Sequence, residues 1–195
     1  MMAQDEAAYK TIPDRGAMVT WNLLVTAKDH EQRHLARKLK RLGDFRWSPY
    51  LGVLIGRVED HQAFFEQLRR NEDIDPGFLL PLARIVPLDT TVTIDAASLL
   101  PTLKAEVLRY ADRIGNGSFY VRVERRGHKG EIHGQHIEQE LAHALLDWLT
   151  QQGCTPRVDF QNPDVTVAIE IVGNECGIGM ITKSLRERYP FVKVP

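Results

Sequence analysis

Four basic residues lie within eight positions in the second half of the chain. They are Arg122, Arg125, Arg126 and Lys129. Planar guanidinium groups bind phosphate oxygens through two parallel hydrogen bonds, and Gly127 and Gly130 would let the backbone approach a ligand closely. This pattern has the chemistry of a phosphate-binding surface. Judged on these residues alone, solvated arginines at the end of a strand are the simpler interpretation.

Further cations stand apart from this cluster. The C-terminal region has a second basic group, Lys183, Arg186 and Arg188, and Arg84 lies in an apolar segment of the first half. We rank Arg84, Lys183 and Arg186 behind the four central residues as predicted contacts. The 195-residue chain has a net charge of −1, so a polyanion would have to bind at a local basic surface.

Three histidines close to the basic cluster raise the question of a metal site. His133 and His136 have the i, i+3 spacing of zinc ligands on a helix, and Glu140 could join them. His128 and His133, however, fall at a predicted junction between a loop and a helix, and no cysteine pair accompanies them. We therefore predict exposed polar histidines and no bound metal.

Motifs for catalysis are missing from the sequence. There is no GxxxxGK[ST] or GxSxG motif, and a strand rather than a helix follows the glycines of residues 115–117, which excludes a Rossmann-type phosphate loop. Asp159, Asp164 or Glu170 could assemble an acid–base pair in space. Since Asp159 and Asp164 flank a turn, side-chain capping explains them better. We predict no catalytic residue and no cofactor.

The elements that must position the basic cluster follow from the hydrophobic pattern of residues 118–172. Phe119, Val121 and Val123 alternate with polar residues, which predicts a half-buried strand. A basic loop is predicted at residues 125–130. After it, five apolar positions with helical spacing predict an amphipathic helix: Ile137, Leu141, Ala144, Leu145 and Trp148. Two further strands are predicted, a short one at 158–160 and a longer one at 165–171.

This order of features resembles the THUMP domain of tRNA-modifying proteins. The resemblance rests on a strand ending in Arg125-Arg126-Gly127, an amphipathic helix, a Val158-Asp159-Phe160 strand, an Asn162-Pro163-Asp164 turn and a hydrophobic strand. Residues 176–182 resemble the next strand of that domain. With the family in view, the basic loop is better explained as an RNA-binding surface than as a solvated strand end.

The first half of the chain predicts a smaller module. Its hydrophobic patterns run strand, helix, strand, strand, helix, strand between residues 20 and 88, which is the βαββαβ order of a ferredoxin-like domain. We therefore predict an α/β (α+β) chain with a ferredoxin-like module at 18–89 and a THUMP module at 90–195. Residues 90–95 are expected to form the connection, and residues 1–17 a polar, loosely docked tail.

The resemblance implies a tRNA-binding protein without catalytic activity of its own. THUMP modules usually accompany a catalytic domain, whereas here the pattern extends to about the end of the chain. In this the protein is similar to stand-alone THUMP proteins, which act as tRNA-binding adaptors for the enzyme that makes N4-acetylcytidine. On this interpretation the basic residues hold phosphates near the tRNA acceptor end, and a separate RNA-modifying enzyme, such as that acetyltransferase, acts on the RNA.

Two other classes of function stay open. One is an enzyme, or a subunit of one, that modifies RNA through an active site that sequence spacing does not reveal. The other is a ferredoxin-like module that binds a ligand or a protein and has no RNA partner. Two cysteines that form no CxxC motif favour a reducing cytoplasm. The apolar stretches are too short to span a membrane, so a membrane is not an expected partner. DNA is not an expected partner either.

Overall fold

A computed structural model describes residues 21–95 and 98–195. The predicted tail at 1–17 lies outside the described residues. The first half contains β1 (Leu23–Ala27), α1 (Gln32–Leu39), β2 (Asp44–Trp47), β3 (Val53–Arg57), α2 (His61–Ile74) and β4 (Leu82–Pro87). These strands form an antiparallel sheet in the order β2-β3-β1-β4. The predicted ferredoxin-like βαββαβ module is confirmed.

Both helices of this module place an apolar stripe against the sheet. Leu35 and Leu39 are the buried positions of α1. α2 begins at Asp60, whose Oδ1 accepts a hydrogen bond from the Ala63 amide at 2.8 Å, and it buries Phe64, Phe65 and Leu68. The Asp60 cap satisfies one of the amides that the first turn of a helix leaves without a partner.

The second half forms a five-stranded mixed sheet. Its elements are β5 (Thr90–Thr93), α3 (Leu99–Leu108), α4 (Ala111–Ile114), β6 (Ser118–Arg126), α5 (Gly134–Gln151), β7 (Arg157–Val158), β8 (Val165–Val172), β9 (Glu175–Thr182) and α6 (Lys183–Arg188). The strand order is β5-β9-β8-β6-β7, in which β6 runs parallel to β7 and β8, and β9 runs antiparallel to β8 and β5.

The expected connection at 90–95 is wrong in one respect. Residues 90–93 form β5, an edge strand paired with β9, rather than a linker. Three threonines and a valine, all β-branched, make up this strand, and such residues favour extended backbone. The two modules therefore follow each other with only two residues between β4 and β5.

The two faces of the second sheet are covered differently. On one face, Val121 and Ile169 pack against Leu103 of α3 and against Leu141 and Leu145 of α5. The opposite face packs against the ferredoxin-like module, and its Ala168, Val172 and Ile181 belong to the hydrophobic core of that module. The alternation of side chains along β6, β8 and β9 therefore separates a helix-covered face from an inter-module face.

Two glycines of β9 allow this close approach. A Cβ added at Gly177 would lie 2.5 Å from Leu88 Cδ1, and one at Gly179 would lie 2.4 Å from the carbonyl oxygen of Pro87. Real side chains do not tolerate such separations. The N-terminal backbone can rest on the second sheet because these positions carry no side chain.

The C-terminal segment returns to the first module. Val192 forms a parallel bridge with Ile85 of β4, and the Ile85 amide donates to the Phe191 carbonyl at 2.8 Å. Tyr189 is 1% exposed and its hydroxyl donates to Glu66 of α2 at 2.6 Å. The C-terminal residues thus complete the core of the ferredoxin-like module. The division at 89/90 into independently folding units stays a prediction.

Candidate nucleic-acid interface

β6 extends further than the sequence pattern predicts. It includes Arg125 and Arg126, so the basic loop, predicted at residues 125–130, instead occupies residues 127–133 before α5 begins. Since consecutive residues of a strand point to opposite faces, the two neighbouring arginines go to different places. The expectation that both are solvated in a loop is wrong for Arg126.

Arg126 lies on the inter-module face. Its side chain is 10% exposed and its Nη1 donates to the carboxylate of Glu170, itself 1% exposed, at 2.5 Å. Burial raises the pKa of Glu170, while the charges of Arg126 and Arg84 oppose the rise. The pair neutralises a carboxylate that would otherwise be buried alone.

Arg84 approaches the same carboxylate from β4. Burial lowers the pKa of Arg84, and the negative charge of Glu170 works against that change. Its Nε is buried and has no hydrogen-bond partner among the described residues. Arg84, Glu170 and Arg126 therefore form a polar layer between the two modules.

Arg125 points to the other face, beside the start of α5. Its Nη1 donates to the Gly127 carbonyl at 3.1 Å. The side chain lines a cleft of about 470 Å³ together with Ile132, His133, Gly134, Gln135, His136 and Gln139. The first turn of α5 contains no acidic residue, and the amides at a helix start favour an anion. Exposed Lys129 follows four residues after Arg125.

Gly127 holds the loop against the ferredoxin-like module. Its φ of 100° lies in the left-handed region, and a Cβ at this position would meet the Tyr50 hydroxyl at 2.4 Å. Nearby, Arg46 of β2 lies 3.5 Å from Glu175 at the start of β9. The end of the β2–β3 hairpin and the basic loop therefore form one composite surface.

His128 fixes the other side of the loop. Its Nε2 lies 3.1 Å from the Gly173 carbonyl oxygen, and its Nδ1 lies 3.0 Å from the Glu131 carboxylate. The hydrogen bond with Glu131 raises the pKa of His128 above its ordinary value of 6.5, against the effect of burial. The protonated ring can donate to both acceptors at once.

Three of the predicted contacts lie around the outer part of β6. Arg122 lies 3.4 Å from Glu138 and 3.8 Å from Glu124. Arg186 of α6 donates from Nη1 to Thr166 Oγ1 at 3.3 Å, and from Nη2 to the Pro163 carbonyl. Lys183 begins α6, and its amide donates to the Asp164 carbonyl at 2.8 Å.

The predicted contacts thus fall into three places. Arg125 and Lys129 lie at the loop and the α5 cleft. Arg84 and Arg126 lie in the inter-module layer. The remaining three surround the outer part of β6: Arg122, Lys183 and Arg186.

Residues 102–180 match the THUMP domain family. The second module is a THUMP domain. THUMP domains bind RNA in RNA-modification proteins. No curated protein matches the sequence.

Solved structures share the arrangement of both modules. TrmN from Thermus thermophilus is 19% identical with a TM-score of 0.58, over 83% of this chain and 45% of that one. PH1313 from Pyrococcus horikoshii is 16% identical with a TM-score of 0.54, over 82% and 54%. A 4-thiouridine synthetase in complex with RNA and ATP is 11% identical with a TM-score of 0.54, over 83% and 41%.

These similarities show the fold, and this chain spans about half the length of the structures it matches.

Sequence reasoning missed several residues at the THUMP surface. Tyr120 lies on the polar side of β6, Phe160 is 74% exposed although it was assigned to a strand, and Arg157 is exposed on β7. An aromatic residue at a polar position of the alternation was the available signal for Tyr120.

Two further observations concern other kinds of site. Within residues 21–95 and 98–195, no three histidine, cysteine or acidic side chains come together in a way that could hold a metal ion. In the same part of the chain, no helix has the length and apolar character needed to cross a membrane. A cleft of about 600 Å³ in the first module is lined by three acidic residues, Asp44, Glu59 and Asp60, and one basic residue, Arg57, a net negative lining that is a poor match for phosphates.

Proposed function

We propose that this protein binds tRNA at its THUMP domain and positions it for a separate RNA-modifying enzyme. The observation that carries the proposal is the cleft where Arg125 meets the first turn of α5, with exposed Lys129 four residues later. Guanidinium donors, helix amides and a lysine together suit the phosphates of an RNA backbone.

The composite surface supports a role for both modules. Gly127 contacts Tyr50, and Arg46 reaches Glu175, so the β2–β3 hairpin adjoins the basic loop. A helical RNA that contacts Lys129 would therefore also meet the ferredoxin-like module. A rigid pair of modules can set the distance and direction of the bound RNA, because A-form RNA is recognised mainly through its shape and backbone.

The comparisons favour RNA as the ligand. RNA binding is the activity expected of a THUMP domain. One structure of the same fold, the 4-thiouridine synthetase, was solved with RNA bound. We extend this to tRNA, with the acceptor end as the contacted region. The proposal assigns the chemistry to a partner enzyme, and the resemblance to acetyltransferase adaptors makes cytidine N4-acetylation the first reaction to test.

A binding comparison tests the first part of the proposal. The full chain is titrated with tRNA, with its acceptor minihelix and with a DNA duplex of the same length, each at two salt concentrations. We expect both RNAs to bind more tightly than DNA, with an affinity that falls as salt rises because counterions are released. Equal affinity for DNA and RNA would contradict the proposal.

Nucleoside mass spectrometry tests the second part. Unmodified tRNA is incubated with the purified protein and with acetyl, methyl or sulfur donors, in the absence and presence of a candidate partner enzyme. We expect a modified nucleoside only when the partner is present, and more of it with this protein than without. A modified nucleoside formed by the protein alone would identify it as an enzyme.

A further inference from the structure

The THUMP sheet has an aromatic pair at its β7 edge, made of half-buried Tyr120 and exposed Phe160. The rings of Tyr120 on β6 and Phe160 after β7 have centroids 5.3 Å apart and planes at 71°. Phe160 is 74% exposed, so one of its faces is open to solvent. Isolated exposed apolar residues are common on protein surfaces, and the meaning of this pair depends on its surroundings.

Phe160 is held in place by its own turn. The Asp159 amide donates to the Phe119 carbonyl at 2.9 Å, which continues the pairing of β7 with β6. The Asp159 carboxylate then accepts from the amides of Gln161 at 2.9 Å and Asn162 at 3.0 Å. A ring presented on a fixed backbone loses little conformational freedom when a ligand stacks on it.

Three arginines frame the pair. Arg122 lies two positions along β6 on the same side as Tyr120. Arg157 pairs with Ser118 and so shares that side from β7. Arg186 bonds to Thr166, the residue directly opposite Tyr120 on β8. Arg122 and Arg157 therefore lie on the side of Tyr120 in β6 and β7, and Arg186 of α6 reaches the neighbouring strand β8 through Thr166.

Acidic residues near the pair all have partners, and two of them, Glu124 and Glu138, lie 3.8 and 3.4 Å from Arg122. Asp164 accepts from the amide and the hydroxyl of Ser118 at 2.8 and 2.7 Å. Asp159 is occupied by the turn amides, and Glu138 accepts from the Val123 amide at 2.8 Å. The surface thus combines an open aromatic face with a rim in which arginines can still offer donors, since each guanidinium has five.

We propose that Phe160, supported by Tyr120, stacks an unpaired base of the RNA while the surrounding arginines hold the flanking phosphates. This inference rests on the proposed RNA binding and adds the kind of nucleotide that the THUMP surface takes. Aromatic rings with neighbouring cations are the general means by which proteins bind single-stranded nucleic acid. The unpaired base would lie on the inter-module side of the sheet, across β6 from the α5 cleft.

The test uses three RNA hairpins with the same stem. One is blunt, one has four unpaired nucleotides at its 3′ end, and one has the same extension without bases. Since stacking of a base on an aromatic side chain contributes about 1–3 kcal/mol, we expect the full chain to bind the extended hairpin roughly tenfold more tightly than the other two.

Substitutions of Phe160 test whether its ring causes the preference for unpaired bases. Phe160→Ala should bind all three hairpins with the affinity of the blunt one, and Phe160→Trp should keep the preference for unpaired bases. Ile74→Ala is the matched control, because Ile74 is 82% exposed on α2. The control should bind all three hairpins as the unsubstituted protein does.

The alternative outcomes separate this inference from the function on which it rests. If the unsubstituted protein binds no hairpin, the proposed RNA binding itself fails. If it binds the hairpins and Phe160→Ala keeps the full preference for unpaired bases, the stacking site is wrong and RNA binding stands. If Phe160→Ala leaves every RNA affinity unchanged and weakens binding to the modifying enzyme, the pair is a protein-docking surface and the inference is overturned.

Discussion

Arg126 and Glu170 of the THUMP sheet form an ion pair at the interface with the ferredoxin-like module, with 2.5 Å between Nη1 and the carboxylate. Their side chains are only 10% and 1% exposed. The pair joins neighbouring strands of the THUMP sheet, on the face that the ferredoxin-like module covers. Arg126 is therefore part of the structural core between the modules, although its sequence neighbours belong to a surface.

The first prediction concerns this ion pair. Arg126→Ala leaves the buried Glu170 carboxylate without its hydrogen-bonded partner, and we expect the free energy of unfolding to fall by about 3 kcal/mol or more, as for other buried pairs that lose one member. Urea denaturation at neutral pH measures the change. Arg126→Ala combined with Glu170→Gln should recover part of the loss, because the buried carboxylate charge is removed; the recovery is partial since Arg84 loses its attraction to Glu170.

Arg125→Ala is the matched control for that experiment. Arg125 is the adjacent arginine, but its side chain lines an open cleft, so the substitution should change the stability by less than about 0.5 kcal/mol. Equal losses from Arg125→Ala and Arg126→Ala would show that the ion pair has no special structural role.

The second prediction concerns pH. The pKa of His128 is raised in the folded protein by its hydrogen bond with Glu131, so the folded state binds the proton more tightly than the unfolded state. This stabilisation is fully present below the unfolded value of about 6.5 and is lost as pH rises through the higher folded value. As pH rises through the folded pKa of His128, amide hydrogen exchange of residues 127–133 should therefore become faster, after correction for the intrinsic pH dependence of exchange.

His128→Gln tests the assignment of that pH dependence. A glutamine side chain can still bond to Gly173 but does not titrate, so the corrected exchange rates of the loop should become independent of pH between 5 and 8 in the variant. An unchanged pH dependence in His128→Gln would assign the titration to another group.

The third prediction concerns the C-terminal segment. Tyr189→Ala should destabilise the ferredoxin-like module, because Tyr189 is buried between Phe65 and Phe191, with ring centroids 5.3 and 5.8 Å away. Removing a buried aromatic side chain typically costs about 3–5 kcal/mol. Tyr189→Phe keeps the ring and loses only the hydrogen bond to Glu66, so its effect should be much smaller.

Thermal unfolding monitored by near-ultraviolet circular dichroism measures both variants. If Tyr189→Ala and Tyr189→Phe have equal effects, the hydrogen bond rather than the packing of the ring is what the C-terminal segment contributes. If neither has an effect, the segment does not stabilise the first module.

The sequence predicted most elements of the fold because their patterns are local. The alternation of Phe119, Val121 and Val123 and the helical spacing from Ile137 to Leu145 each depend on neighbours a few residues apart. The burial of Arg126 could not be predicted in this way, since Glu170 is 44 positions away and the covering strand β4 is itself distant in sequence. The alternation does place Arg125 and Arg126 on opposite faces once the strand is known to reach them.

The sequence predicted which basic residues belong to the candidate site better than it predicted where their side chains lie. Arg125 and Lys129 lie at an open surface, while the RNA contacts themselves stay predictions. Phe160 was expected inside a strand, and the Asp159 turn that exposes its ring became visible only in the structure. Residues 90–93 were expected to connect the modules, because a four-residue edge strand has no hydrophobic periodicity of its own.

The fourth prediction concerns the salt dependence of RNA binding. If Arg125 and Lys129 contact phosphates, each contact releases condensed counterions, and the slope of log K against log salt should flatten by somewhat under about 1 for each residue changed to Ala. Reversing the charge with Arg125→Glu or Lys129→Glu should weaken tRNA binding more strongly, since a carboxylate repels the phosphate. Isothermal titration at four salt concentrations measures both quantities.

The matched control is Arg37→Glu, because Arg37 is an exposed arginine on α1, away from the α5 cleft. It has the same change in net charge and should have a much smaller effect on affinity and slope. A double reversal that included Arg126 would be uninformative, since loss of the Glu170 ion pair would lower the stability along with the affinity. If Arg125→Glu and Lys129→Glu bind tRNA with the affinity and salt slope of Arg37→Glu, the phosphates are held elsewhere and the α5 cleft is not the RNA site.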